Sequence, residues 1–471
     1  MSDQRLDLAA TGLVEENLED LALRDDYALN PEYVDWVVDA ADRDDQERLR
    51  ELVAALHPAD VADLMGFLSA DYREAILPVI SAEALPDILS ELDPNIREEV
   101  LEDVSSSALA QALHELDSDD AADVLEDLDE DRLGAVLAEM SEVDRAAIET
   151  SLAYGDETAG RLMQREVMAA PQFWTVAQTL EHIRGAADDL PDLFFDVYVV
   201  DPAYRPVGAV PLSTLLKARA EAELALIMEP ITEIDVGLDQ EEVAYIFQKY
   251  HLISAPVTDA GGRLVGQITV DDIVGVINEE SEEDLLALAG VTDAGRDASV
   301  IEVARSRSGW LSINILTAIL ASSVISLFQG EISRLVSLAV LMPIVASMGG
   351  NAGTQTLTVA VRALAVRELN AANAVRIVWR ELTVGIMNGL GFGLVMGLVT
   401  LFWFHEPLLG VVIGLALVLN LLAAALAGIL VPLTLNRLGY DPAVSSSVFV
   451  TTVTDVVGFF SFLGLASLIL L

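Results

Sequence analysis

Cysteine is missing from all 471 residues, which excludes disulfides and thiolate metal sites. Basic residues are scarce: 26 Lys+Arg stand against 76 Asp+Glu, and the only lysines are Lys217 and Lys249. A net charge of −50 leaves no basic surface for phosphate backbones, so nucleic acid is not an expected partner. The start, MSDQRLDLAA, has neither a basic region nor an apolar core, and no secretory signal is expected there. Catalytic signatures are lacking too. There is no nucleophile elbow, no phosphate-cradling glycine loop and no histidine pair at metal-ligand spacing, so an enzyme is not expected.

Charge is also lacking from one long stretch. Residues 309–471 hold six Arg and six Asp+Glu, so the whole imbalance sits in 1–308, with 20 basic and 70 acidic residues. A mean hydropathy of +0.44 in so acidic a chain means a soluble acidic module followed by an apolar one, not one globule. The acid is spread over every soluble segment. That is how a protein stays soluble in a salt-loaded cytosol, where self-repulsion is screened, and it points to a halophilic source. Most of these carboxylates are expected to be solvating, so a metal site has to be argued from position.

Five stretches in the apolar module are long enough to cross a bilayer, about 310–328, 335–361, 382–404, 407–435 and 443–471. Four are uncharged and the fifth holds only Asp455. Arg305, Arg307, Arg362, Arg367, Arg376, Arg380 and Arg437 flank one side and Arg334 the other, which puts the N-terminal module in the cytoplasm and the C-terminus outside a multi-pass cell-membrane protein. Asp455 lies in Thr451-Thr452-Val453-Thr454-Asp455-Val456-Val457-Gly458. An ionised Asp at mid-helix costs about 2.5–3.5 kcal/mol on insertion scales, so it is expected to face a watery path. The second stretch carries Gly349-Gly350-Asn351-Ala352-Gly353-Thr354-Gln355, whose amides need polar partners. Gly385, Gly389, Gly391, Gly393 and Gly397 give the third a small-residue face for tight packing.

The soluble module has two parts. In the first, Leu56, Leu68, Ile80, Leu92, Val104, Leu116, Leu128 and Met140 recur every 12 residues, and seven of the eight next residues are Ser or Asp, good helix N-caps. This predicts an α-solenoid of short capped helices over about 50–152. In the second, Val200-Asp201 through Arg205-Pro206-Val207-Gly208 recurs as Thr258-Asp259 through Arg263-Leu264-Val265-Gly266, offset by 58. Upstream, Val167-Met168-Ala169 matches Ile227-Met228-Glu229, offset by 60. Each copy reads as a leading strand, a helix (176–185 and 240–250), two strands and a closing helix. The tandem resembles a CBS-domain pair. An acid cluster, Asn278-Glu279-Glu280-Ser281-Glu282-Glu283-Asp284-Leu285, then begins a helix running towards the membrane.

Taken in order, these parts resemble the MgtE family of magnesium channels. The motifs that carry the resemblance are Tyr154-Gly155-Asp156-Glu157-Thr158-Ala159-Gly160-Arg161-Leu162-Met163, Leu238-Asp239-Gln240-Glu241-Glu242-Val243-Ala244 and Thr269-Val270-Asp271-Asp272-Ile273-Val274. In the membrane they are Pro343 with the run 349–355, Asp441-Pro442-Ala443, and 451–458. The resemblance divides the chain into an acidic segment (1–49), a helical N domain (50–160), tandem CBS domains (161–276), a connecting "plug" helix (277–308) and a five-helix transmembrane domain (309–471). It implies a homodimer in the lipid bilayer whose pore lies on the two-fold axis, with Asp455 and Thr451 holding a hydrated Mg²⁺. It implies regulatory Mg²⁺ at Asp119 and Asp123 of the N domain, at Asp239, Glu241 and Asp272 of the second CBS copy, and at Glu280, Glu283 and Asp284 of the plug. ATP at the CBS pair is compatible with it. Five residues depart from the family pattern: Arg161 for a glycine, His251 for an aspartate, Gly275 for an acid, and Thr354 and Ser447 for asparagines. Two alternatives are a carrier for another divalent ion such as Co²⁺ or Mn²⁺, and a non-transporting CBS-type membrane sensor.

Overall fold

A computed structural model describes residues 18–185, 190–191, 193–291, 300–369, 373–444 and 446–470. It separates into two compact units, 1–277 and 278–471. The expected segment 1–49 lies outside the described residues as far as 17, and the connecting segment does so over 292–299.

The first unit begins with α1 (Leu18–Ala22), α2 (Pro31–Asp42) and α3 (Gln46–Ala54). Then come α4 (Pro58–Phe67), α5 (Ala70–Ile76), α6 (Leu85–Glu91), α7 (Pro94–Asp103), α8 (Ser106–Glu115), α9 (Ser118–Glu126), α10 (Glu130–Glu139) and α11 (Glu142–Leu152). The 12-residue beat sets these starts, and Asp93, Ser105, Asp129 and Ser141 accept a backbone N–H at theirs. The beat slips once. After Ser81 the chain makes a turn, and α6 starts on Ala84 without a side-chain cap. The core of this unit also reaches back before residue 50. Tyr33, Val37, Ala40, Leu49 and Leu52 join one apolar core with Leu64, Leu89 and Leu109, and the Tyr33 hydroxyl donates to the Leu52 carbonyl at 2.7 Å. Helices α2 and α3 lie outside the repeat, which is why its spacing does not reveal them.

After α12 (Ala159–Leu162), the first CBS copy comprises β1 (Ala169–Pro171), α13 (Val176–Gly185), β2 (Asp196–Val200), β3 (Pro206–Pro211), α14 (Leu212–Lys217) and α15 (Leu224–Ile227). The second comprises β4 (Ile234–Asp235), α16 (Gln240–Tyr250), β5 (Ser254–Thr258), β6 (Leu264–Thr269) and the start of α17 (Val270–Ala289). Each sheet has three strands, the first two parallel and the last two antiparallel. Asp201 and Asp259 close equivalent hairpins by accepting the backbone N–H of Arg205 and Arg263 at 3.0 and 2.9 Å. The upstream sequence match is corrected: 227–229 is not the leading strand of the second copy, which is β4. Glu229 instead bridges Ala209 of the first sheet, as Gln164 bridges Gln267 of the second. The copies meet through a buried chain in which Tyr198 donates to Ser254 at 2.8 Å and Ser254 to Asp196 at 2.7 Å.

The second unit holds the rest of α17, then α18 (Val300–Ser326), α19 (Gln329–Arg334), α20 (Ser337–Ala365), α21 (Ala374–Phe404), α22 (Pro407–Arg437) and α23 (Ser446–Ile469). Five long helices match the five expected spans. Four of them, among the described residues, are long and apolar enough to cross a membrane, and α20 falls outside that set. Its polar run 349–355 dilutes an otherwise apolar helix. The third span starts earlier than expected, since Arg376, Arg380 and Glu381 are already helical in α21.

Glycine decides how these helices approach. An added methyl at Gly385, Gly389, Gly393 or Gly397 would stand 2.7–3.0 Å from the backbone of α22, so only glycine admits that contact. Gly391, expected on this face, meets nothing within 4 Å and lies off it. Asn420 of α22 is fully buried and donates to the Val345 carbonyl of α20 at 2.8 Å. A methyl at Gly458 of α23 would collide with it at 2.7 Å.

Candidate functional site

The N-terminus of α9 is pinned against the second CBS copy by a set of short polar contacts. Ser118 Oγ donates to Glu166 at 2.9 Å and accepts the Arg165 backbone N–H at 2.8 Å. The Gln267 amide donates to Gln164 Oε1 at 2.8 Å and to the Glu166 carbonyl at 3.1 Å. Arg161, the departure from the family's glycine, forms an ion pair with Glu126 at the other end of α9. These contacts bring the acids of the first turn of α9 up to Asp272 in the first turn of α17. Asp272 is itself fixed by accepting from Thr269 Oγ1 at 2.7 Å and from the Thr269 N–H at 3.3 Å, one half of a helix capping box.

The electrostatic result is a pocket of mutually repelling carboxylates. Burial, then Asp272 and Asp117, push Asp120 up to about 7. Burial raises Asp272 to about 6 against the favourable Thr269 hydrogen bond, with Asp271 and Asp117 adding to the rise. Asp119 is driven well above the usual carboxylate range by burial and then by Asp272 and Asp120, and among the described residues its buried Oδ1 has no hydrogen-bond partner. Such a site binds protons or cations to relieve itself. Asp120 escaped the sequence reading, although the run Asp117-Ser118-Asp119-Asp120 signals it.

Other expected ligands are placed differently. Asp123 is exposed and pairs with the buried Arg97 at 2.7 Å, and Arg97 also holds Asp127, so part of its charge is already compensated. Asp239 caps α16 by accepting the Glu241 N–H at 3.0 Å, and both residues are exposed. In the second unit, Glu280 and Asp284 are half-buried and Glu283 exposed on α17. Burial raises Asp284, with Asp441 and Glu283 adding to it. Among the described residues, no group of three or more His, Asp or Glu side chains is gathered closely enough to hold a metal by protein ligands alone. One or two carboxylates completed by water is the usual arrangement for Mg²⁺.

Asp455 is the tenth residue of α23, a helix of 24. At 1.5 Å per residue it lies about 14 Å along the axis, near the middle of a ~30 Å hydrocarbon core. It is half-buried, and among the described residues no donor or cation partners its carboxylate. Thr451, one turn earlier, donates its hydroxyl to the Ser447 carbonyl at 2.7 Å, while its own carbonyl accepts from Thr454 at 2.9 Å. The hydroxyl lone pairs are therefore what Thr451 has left for a ligand. Gly353 of α20 faces this segment, where an added methyl would meet Val450 at 2.6 Å.

A bundle of long apolar helices with a lone mid-helix carboxylate, attached to a soluble unit of solenoid and CBS pair, defines a membrane transport protein for cations. The comparisons agree. Residues 342–465 match the family model described as a divalent cation transporter, 56–157 the MgtE intracellular N domain and 224–279 a CBS domain. "Magnesium transporter MgtE" of Thermus thermophilus is 36% identical over 331 residues, 69% of this chain and 73% of the relative. The protein of the same name from Enterococcus faecalis is 35% identical over 322 residues, 68% and 71% of the two chains. The solved cytosolic domain of the Mg²⁺ channel MgtE in complex with ATP aligns at TM-score 0.49 and 32% identity, covering 52% of this chain and 99% of that one. The chain belongs to the MgtE family of divalent cation transporters, not to an enzyme family.

Proposed function

We propose that this protein is a Mg²⁺-selective channel of the cell membrane, closed by Mg²⁺ bound at the acidic sites of its soluble unit and plug helix. The observation that carries the permeation reading is Asp455, a carboxylate without a partner among the described residues, in an otherwise uncharged helix. In a homodimer two copies across the axis, with Thr451 beside each, would hold an ion that keeps most of its water. Mg²⁺ dehydrates reluctantly and suits such a site. The arginine distribution supports a first unit in the cytoplasm and a C-terminus outside.

The regulatory reading rests on the repelling carboxylates Asp119, Asp120 and Asp272 and on Asp284 of α17. A divalent cation neutralises each group, and a state that binds it is favoured in proportion to its differential affinity. Asp123, Asp239, Glu241, Glu280 and Glu283 add negative charge around these sites. ATP at the CBS pair is an additional ligand to test, not a requirement.

The experiment is ion flux into proteoliposomes. Asp455→Asn is expected to abolish Mg²⁺ flux, and Asp455→Glu to keep part of it. Undiminished flux in Asp455→Asn refutes the pore assignment, and flux of Co²⁺ or Mn²⁺ without Mg²⁺ refutes the selectivity. Glu280→Gln, Glu283→Gln and Asp284→Asn combined are expected to raise flux at high internal Mg²⁺; unchanged inhibition counts against the plug as sensor.

A further inference from the structure

One cavity in the second unit has no part in the reading above. It measures about 520 Å³ and lies where α20 ends and α21 begins, lined by Arg362, Arg376 and Arg380 together with Thr356, Ile377 and Ile429. Only six arginines occur in 309–471, and three converge here. Arg376 and Arg380 sit four residues apart, hence on one face of α21. Arg380 is shared with the adjacent Glu381 at 3.2 Å, and Glu368 also lines the cavity. Among the described residues Arg362 and Arg376 have neither hydrogen-bond nor ion-pair partners for their side chains. Trp379, beside Arg380, is 66% exposed, an aromatic of the kind found at headgroup depth.

We propose that this cavity binds the headgroup of an anionic phospholipid, with the phosphodiester between Arg362 and Arg376 and the glycerol end over the apolar lining. Topology alone would require arginines on this side of the membrane, but not three of them converging on one concave, half-apolar site. Guanidinium forks match phosphate oxygens and hold them by charge-assisted hydrogen bonds. The apolar lining distinguishes a lipid from free phosphate, which would gain nothing from it. A basic pocket between helix ends at the membrane face is the usual site for an acidic headgroup. The neighbouring glutamates keep the net charge of the site low, so that one monoanionic headgroup suffices to neutralise it.

The test uses the full chain, purified in detergent and mixed with equal amounts of phosphatidylglycerol and phosphatidylcholine, with retained lipid read by native mass spectrometry. The wild type is expected to retain phosphatidylglycerol preferentially. Arg376→Gln, an exposed position, is expected to lose about tenfold of that preference, equivalent to one charge-assisted hydrogen bond. Arg334→Gln and Arg437→Gln, arginines outside the cavity, are expected to leave it unchanged. A photoreactive phosphatidylglycerol is expected to crosslink within residues 356–381, which keeps the test independent of any variant. Equal retention of both lipids, a full preference in Arg376→Gln, or displacement of the lipid by millimolar inorganic phosphate would overturn the proposal.

Discussion

Replacing Asp120 with Asn keeps the side-chain shape and removes one charge from the pocket between α9 and α17. The folded protein holds the Asp120 proton up to about pH 7, while its unperturbed value is 3.8. Below pH 3.8 the group is protonated in both states and contributes nothing. Between those values the folded state binds the proton and the unfolded state does not, so stability falls by about 1.4 kcal/mol per pH unit. The fall is complete above pH 7, where the cost of this single carboxylate reaches about 4 kcal/mol. Thermal denaturation of the full protein in EDTA, followed by circular dichroism, reads this directly. Asp120→Asn is expected to be the more stable protein at pH 8, with the gap closing towards pH 4. Millimolar Mg²⁺ should stabilise the wild type at pH 8 more than the variant, since it neutralises what the variant lacks. Parallel pH profiles for the two proteins in EDTA would refute the repelling-pocket argument.

Two further outcomes test the packing that positions these sites. Arg97→Ala leaves Asp127 in a half-buried place without its cation and is expected to cost about 3–5 kcal/mol. Asp123→Ala, which removes only the exposed partner of that pair, is expected to cost under about 1 kcal/mol in the same thermal denaturation experiment. In the membrane unit, Gly458→Val drives a side chain into Asn420 and is expected to cost about 1–3 kcal/mol, read as earlier unfolding in detergent mixed with rising dodecyl sulfate.

Periodicity made most of the architecture legible. The 12-residue beat set helix starts at Pro58, Ala70, Pro94, Ser106, Ser118, Glu130 and Glu142 because each apolar marker must return to the same core and each cap must precede its helix. The CBS helices 176–185 and 240–250 appear as read, since sequence pattern and fold repeat together. What failed was local detail that depends on partners distant in sequence. The second leading strand moved to β4 because strand pairing is chosen by the sheet, and 227–229 was already committed to the first one. That Asp123 pairs with Arg97, 26 positions earlier, has no local signal in the sequence either. Asn420 is a lone amide in an uncharged stretch, and nothing in sequence says that Gly349 and Gly458 are glycine partly to make room for it.

The second unit also contains a short physical link between the charge on α17 and helix α23. Ala287 and Leu288, near the end of α17, pack on an apolar cluster of Leu357, Val361, Ala427, Ala443 and Val450. Leu288 lies four residues after Asp284, hence on the same helix face. Val450 lies five residues before Asp455 on α23, and Leu357 is on α20, whose Gly353 packs against Val450. Asp284 and Asp441 repel each other just beside this cluster, because Asp441 begins the turn that leads into α23. Neutralising either carboxylate removes that repulsion and is expected to favour the seated position of Leu288. No long chain of intermediaries is needed, because the helix that carries the carboxylate also carries the apolar contact with both helices that frame Asp455.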